Sequence, residues 1–364
     1  MGVAAQPAAS IGPATPDVYP RQMPPTRDAT ELVFLPADRV RLQALRALGP
    51  VARRLVRDRE LRVALVGALA VITALLATLL VPWWLLALGP VVLGVPHILA
   101  DVRYLVIRPG FHRRWGFWLL VAAPIAATWA GAGLRAGTLG VAGAALLARG
   151  AAWWARALVV ACAAALCAVA WGSPWWTDLS FAHAHNLVAL ALWWAWRPRT
   201  SRWHLLPLVS FVGALALLAA GSFETIVYRS PLFWSAPDAL DATVQVPWLA
   251  SRIPGEWALR LTLSFAFAQS VHYAVWLRMV PEDDRGRDTP RPFAASWRAL
   301  TADVGRPLLA LTALATLGLV GWALADIAAA RDLYLRVGLF HGHLELAAFV
   351  LFLLEGARSA RATA

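Results

Sequence analysis

Residues 63–100 read VALVGALAVITALLATLLVPWWLLALGPVVLGVPHILA, 38 consecutive positions without a formal charge. A helix needs about 20 mostly apolar residues to cross roughly 30 Å of hydrocarbon. The stretch therefore holds one crossing, a turn at Pro82-Trp83-Trp84 and most of a second crossing. Similar windows follow at 115–134, 136–148, 157–177, 179–196, 203–223, 261–277, 307–325 and 337–354, the last broken only by Glu345. The window at 136–148 is the weakest, with 13 uncharged residues. The predicted fold class is all-α, a polytopic membrane helix bundle of about ten transmembrane helices.

Composition agrees. Of 364 residues, 60% are apolar and 15% charged, against about 25% charged in soluble domains. Mean hydropathy is +0.60. These values exclude a soluble enzyme, a secreted disulfide scaffold and a nucleic-acid-binding domain. Cys162 and Cys167 lie in one apolar stretch and read as small buried side chains, not as a disulfide or zinc pair.

The net charge is +12, and all 33 basic residues are arginine. Basic residues collect in cytoplasmic loops, which explains the charge without nucleic acid. With the N-terminus inside, 27 arginines fall on inside segments and six outside: Arg135, Arg229, Arg252, Arg260, Arg331 and Arg336. Both termini are therefore expected to be cytoplasmic, in a membrane of the bacterial inner type. Residues 1–38 read as a disordered tail without a cleavable signal peptide. Residues 39–62 read as a basic amphipathic juxtamembrane segment facing anionic lipid, or a solvated linker interrupted at Pro50. Residues 63–356 form the transmembrane domain, and 357–364 a C-terminal tail. Trp83-Trp84, Trp153-Trp154, Trp175-Trp176 and Trp193-Trp194 fit interfacial belts. The segment near 224–256, with four prolines, is expected to form a cap.

Six histidines fall inside predicted spans: His97, His183, His185, His272, His341 and His343. Ionisable groups at membrane depth are costly, so they pair, face a protein interior or bind something. Metal ligation, a proton or ion relay, and structural hydrogen bonding all fit. His97 and Asp101, like His341 and Glu345, stand four apart on one helix face, suiting a ligand with its carboxylate partner or two ligands of one metal. Gln269 and His272 form a similar facet, with Tyr273 beside it; Asn186 follows His185. Residues two apart on a helix point about 200° apart, so His183 with His185, or His341 with His343, share one site only if the helix unwinds. Gly342 allows such a break. Counting residues to the span ends predicts two layers roughly 12 Å apart, His97 with His272 and His183 with His341, unless tilt and helix breaks bring them together. Imidazole suits iron, copper and zinc, and the near-absence of cysteine argues against iron–sulfur and structural zinc sites. Several histidines in an apolar setting suit non-heme Fe(II) and O2 chemistry, with Cu or Zn as alternatives.

Gly94-Val95-Pro96-His97-Ile98-Leu99-Ala100-Asp101 resembles the G-x-P-H-x-x-x-D motif of the Brp/Blh family of membrane-embedded beta-carotene 15,15'-dioxygenases. The resemblance implies ferrous iron held by four histidines and central cleavage of a carotenoid to retinal. His97 carries over directly. His183 or His185 is the counterpart of the family's H-F-G-type motif, though Asn186-Leu187 replaces Phe-Gly; His272 stands where the family has two histidines four apart; of its terminal Pro-His-containing stretch only Phe340-His341 has a likeness here. Desaturase histidine boxes, H-E-x-x-H, G-x-S-x-G and a P-loop are absent. The leading expectation is an oxygenase-like non-heme metal enzyme acting on a lipid-soluble carotenoid, isoprenoid or acyl chain. The alternatives are a proton-coupled or metal-ion transporter using the same residues as a relay, and a membrane scaffold or assembly factor.

Overall fold

The computed structural model describes residues 32–234 and 240–356. The expected tails at 1–31 and 357–364 lie outside the described residues. From the N-terminus the helices are α1 (Leu35–Ala47), α2 (Gly49–Arg57), α3 (Arg59–Leu80), α4 (Pro82–Ile107), α5 (Trp115–Ala130), α6 (Gly133–Leu147), α7 (Trp153–Gly172), α8 (Pro174–Ala195) and α9 (Arg202–Ala219). The short helices α10 (Glu224–Arg229), α11 (Pro231–Trp234) and α12 (Ala242–Ala250) follow. Then come α13 (Glu256–Ala274), α14 (Phe293–Val304), α15 (Arg306–Ala323) and α16 (Ile327–Glu355). No strand occurs among the described residues. Six helices (α3, α4, α7, α9, α15 and α16) are long and apolar enough to cross a membrane. Helices suit that role because hydrocarbon offers their backbone groups no other partner. Only 11% of the apolar windows of α7 and α15 is buried within the protein. Leu158, Val169, Leu311, Leu314 and Leu317 are exposed there, a lipid-facing surface that water would not tolerate at this extent.

One end of the bundle is tied by ion pairs. Arg62 at the start of α3 bonds Glu282 (2.6 Å), Arg103 bonds Asp303 (2.6 Å), and Arg199 before α9 bonds Asp283 (2.7 Å). Arg114 before α5 forks onto Glu355 at the end of α16, at 2.5 and 3.0 Å. The Arg149 backbone after α6 donates to the same Glu355 (2.9 Å). At the opposite end, Ser230 donates to the Leu80 carbonyl, and Trp83 Nε1 to the Phe233 carbonyl. The expected cap is thus fastened where Pro82 divides α3 from α4.

Several expectations need correction. The tail does not stay irregular to residue 38, because α1 begins at Leu35. Asp38 accepts from the Phe293 and Ala294 backbone N–H groups (2.6 and 3.2 Å), capping α14 and anchoring α1. Residues 327–338 are the first part of α16, not a loop, and Arg331 is buried there on Gln245 (2.5 Å). Trp83 and Trp193 are core residues rather than belt residues, since each indole finds a buried acceptor, Phe233 O and Asp283 Oδ2. The cysteines are unpaired, as expected, although Cys162 is exposed.

The weak window at 136–148 is the short apolar helix α6, packed on α7 and α16. Its glycines allow close approach. A Cβ on Gly143 would come within 1.9 Å of the Leu120 carbonyl oxygen, whereas one on Gly318 of α15 meets nothing within 4 Å. Gly143→Ala is expected to cost about 1–3 kcal/mol or prevent folding. Gly318→Ala, in an open helix interior, is expected to be neutral or slightly stabilising. Thermal unfolding of both variants in detergent checks the contrast, and equal unfolding temperatures would contradict it.

Candidate metal centre

The motif segment is locally unusual. Pro90 and Pro96 lack the N–H that an α-helix needs and crowd the preceding turn. Around them α4 opens into π-helical turns at Gly89–Leu93 and Val102–Ile107, on either side of His97. A third wide turn, Val275–Met279, continues α13 just after His272. Such turns often mark functional sites because they rotate side chains out of regular register.

Four imidazoles converge from α4, α8, α13 and α16. The ring of His97 lies 5.2 Å from that of His272 and 4.7 Å from that of His341. His185 lies 5.2 Å from His272 and 5.5 Å from His341, and the last two are 5.8 Å apart. Ligand nitrogens of His97, His272 and His341 fall within 4.8 Å of one another, as do ligand atoms of Asp101, His341 and Glu345. At metal–nitrogen bonds near 2.1 Å, two nitrogens on opposite sides of one ion stand roughly 4.2 Å apart. The spacing therefore admits a shared ion after small side-chain adjustment.

Hydrogen bonds orient three of the rings. His97 Nδ1 meets the Gly94 carbonyl at 2.7 Å, His185 Nδ1 meets Phe181 O at 3.2 Å, and His341 Nδ1 meets Gly338 O. A carbonyl only accepts, so each proton sits on Nδ1 and Nε2 keeps its lone pair for a cation. Tyr334 Oη, 3.3 Å from His97 Nδ1, supports the same ring. The His272 ring makes no hydrogen bond; its Nε2 lies 3.2 Å from Glu345 Oε1, which accepts from Trp276 Nε1 at 2.7 Å. His97 Nε2 lies 3.6 Å from Asp101 Oδ2.

Asp101 and Glu345 are fully buried. Neither oxygen of Asp101 makes a hydrogen bond, nor do Glu345 Oε2 and His97 Nε2. Buried polar atoms are normally paired, and a carboxylate without partners is costly. Beside neutral imidazoles, the two carboxylates, once ionised, would offset the charge of one divalent cation. The residues present therefore fit a metal.

The structure separates the ambiguous histidines. Because α8 is unbroken, His183 faces Phe265 while His185 enters the cluster. α16 breaks at Leu339 rather than Gly342, so His343 turns toward Phe181 and Gly137 while His341 points inward. Asn186 donates to the Ala182 carbonyl of its own helix, and Gln269 and Tyr273 line the adjoining cavity. The expected two layers collapse into one because residue counts to the ends of straight helices misjudged depth. α13 continues past Arg278 into Val280–Asp283, putting His272 ten residues from Glu282 in the ion-pair layer. His97 stands 11 before Arg108, which pairs with Asp284. His341 stands 14 before Glu355. The difference shrinks to three or four residues, which tilt of the 26-residue α4 and 29-residue α16 absorbs.

Trp276 and Tyr334 are site residues that the sequence reading passed over. Trp276 stands four after His272 within the window 261–277, and Tyr334 seven before His341, so helical periodicity points to Trp276 directly and to Tyr334 once the last helix is extended. Beside the cluster opens a cavity of about 330 Å³, walled by Phe181, Trp248, Phe265, Tyr273 and Tyr334 and reaching His185, His272 and His341.

Comparison of the chain with protein-family models, curated proteins and solved structures gives no match.

The glycine of the motif has a steric reason. A Cβ on Gly94 would come within 2.4 Å of the Tyr334 ring. Gly94→Ala is expected to displace Tyr334 from His97 and destabilise the protein by about 1–3 kcal/mol. Tyr334→Ala in the same background should recover part of that loss. Thermal unfolding of the single and double variants checks this, and purely additive losses would contradict the contact.

Proposed function

We propose that the protein is an integral membrane enzyme whose His97, His185, His272 and His341 hold a divalent transition metal, with Asp101 and Glu345 compensating its charge. The observation that carries this reading is the convergence of four imidazoles from four helices around two buried carboxylates, three of whose four oxygens have no hydrogen-bond partner among the described residues. Histidine-rich donors beside carboxylates and without thiolate favour ferrous iron, with copper and zinc as alternatives. The ten helices α3–α9, α13, α15 and α16 cross the membrane. The ion-paired end faces the cytoplasm of a bacterial-type inner membrane. The arginine distribution supports that orientation.

When bound, ferrous iron supplies the capacity to activate O2. The protein's own residues do the rest. Nδ1–H bonds to helix carbonyls fix the rings of His97, His185 and His341, and Trp276 Nε1 fixes the Glu345 carboxylate. The aromatic cavity admits an apolar chain and keeps water away from the reacting carbons. The substrate is thus lipid-soluble: a carotenoid, isoprenoid or acyl chain. The resemblance of residues 94–101 to the Brp/Blh motif supports a carotenoid first, and the four-histidine arrangement is the donor set that resemblance implies. A relay would need titratable groups strung across the membrane, and a compact cluster favours metal ligation over that reading.

Metal analysis of purified protein, under conditions that retain weakly bound ions, tests this. Wild type and His183→Ala are expected to hold stoichiometric metal, and His185→Ala to lose it. Glu345→Gln should weaken metal affinity about 10–100-fold. Metal-free wild type, or equal effects of His183→Ala and His185→Ala, would contradict the proposal.

A further inference from the structure

A second built feature lies at the ends of α3 and α9, apart from the histidine cluster. It is a cleft of about 760 Å³ lined by Arg53, Arg54 and Arg57 of α2, Arg59 of α3, and Arg197 beyond α8. Three acidic residues share its wall, and each is engaged. Asp58 accepts from the Leu61 backbone N–H (2.9 Å), Glu60 accepts from the backbone of Thr200 (3.0 Å) and Ser201 (2.5 Å), and Asp288 pairs with Arg59 (3.1 Å). Five guanidinium groups against three carboxylates leave two positive charges in excess. Arg59 is only 5% exposed, yet its Nε has no hydrogen-bond partner, and neither has the buried Nε of Arg197. Such donors call for an anion with several acceptor oxygens. Guanidinium forks match phosphate geometry, and the first turn of the 22-residue α3 adds its positive helix end. Arg59 and Arg202 each open a candidate span, so the cleft stands at the level of lipid headgroups.

We propose that this cleft binds a phosphate group, carried by a lipid headgroup or free in solution. The experiment uses the full chain in nanodiscs of neutral phosphatidylcholine. Its thermal unfolding is followed while short-chain phosphatidic acid or inorganic pyrophosphate is added, with sodium chloride at matched ionic strength as control. At least one phosphate probe should raise the unfolding temperature beyond the chloride control. A shift with phosphatidic acid alone assigns a lipid headgroup, a shift with pyrophosphate alone a soluble phosphate, and a shift with both a site for the phosphate group itself. The paired change Arg53→Gln and Arg57→Gln involves two exposed side chains, so the probe-free unfolding temperature should not move. It should weaken the apparent affinity about tenfold or more. Arg57→Gln alone is the second variant, expected to shift affinity in the same direction. No shift beyond chloride with either probe, or an undiminished shift in both variants, would overturn the assignment.

Discussion

Two fully buried carboxylates, Asp101 and Glu345, where four mostly apolar helices meet set the central constraint on this structure. Asp101 and Glu345 have no solvent exposure, and three of their four oxygens lack hydrogen bonds. An uncompensated buried charge costs several kcal/mol, which would consume much of the stability of an ordinary domain. The same residues become favourable around a cation, since structural metal sites contribute on the order of 10 kcal/mol to folding. The metal proposed for this site would let helices from distant parts of the chain bring polar groups together in an apolar interior.

That constraint accounts for local features around it. The wide turns beside His97 and after His272 rotate ligand-bearing segments of α4 and α13 away from regular helical spacing. The break at Leu339 divides α16 so that His341 and Glu345 continue on one face while Tyr334, on the preceding part, reaches back to His97. The ion pairs at one end hold the four helices in register, Arg114 on Glu355 and Arg199 on Asp283 among them. Rigid anchoring away from the histidine cluster would suit the proposed metal site, whose ligands need a fixed geometry.

Much of this was legible in the sequence because apolar run length and i, i+4 spacing are strong physical signals. The all-helical fold followed from uncharged windows, and the pairs His97/Asp101 and His341/Glu345 from helical geometry. The choice between His183 and His185 was not legible, since both fit a helix and only packing against α13 and α16 decides which faces inward. Depth was misjudged because helix tilt, wide turns and the extension of α13 past Arg278 leave no simple mark in residue counts. Trp276 lies inside the window 261–277 and was missed because nothing in the sequence sets it apart from the other tryptophans, whereas Tyr334 was missed because it precedes the window read at 337–354. The start of α1 at Leu35, ahead of the amphipathic segment read from residue 39, was not legible because its anchor, Asp38 on α14, is a contact across more than 250 residues.

X-ray absorption spectroscopy at the metal edge of the purified, metal-replete protein tests the central claim most directly. The account predicts a nitrogen- and oxygen-rich shell near 2.1 Å with the outer-shell scattering of several imidazoles. A shell of water oxygens without imidazole scattering, or one containing sulfur, would contradict it.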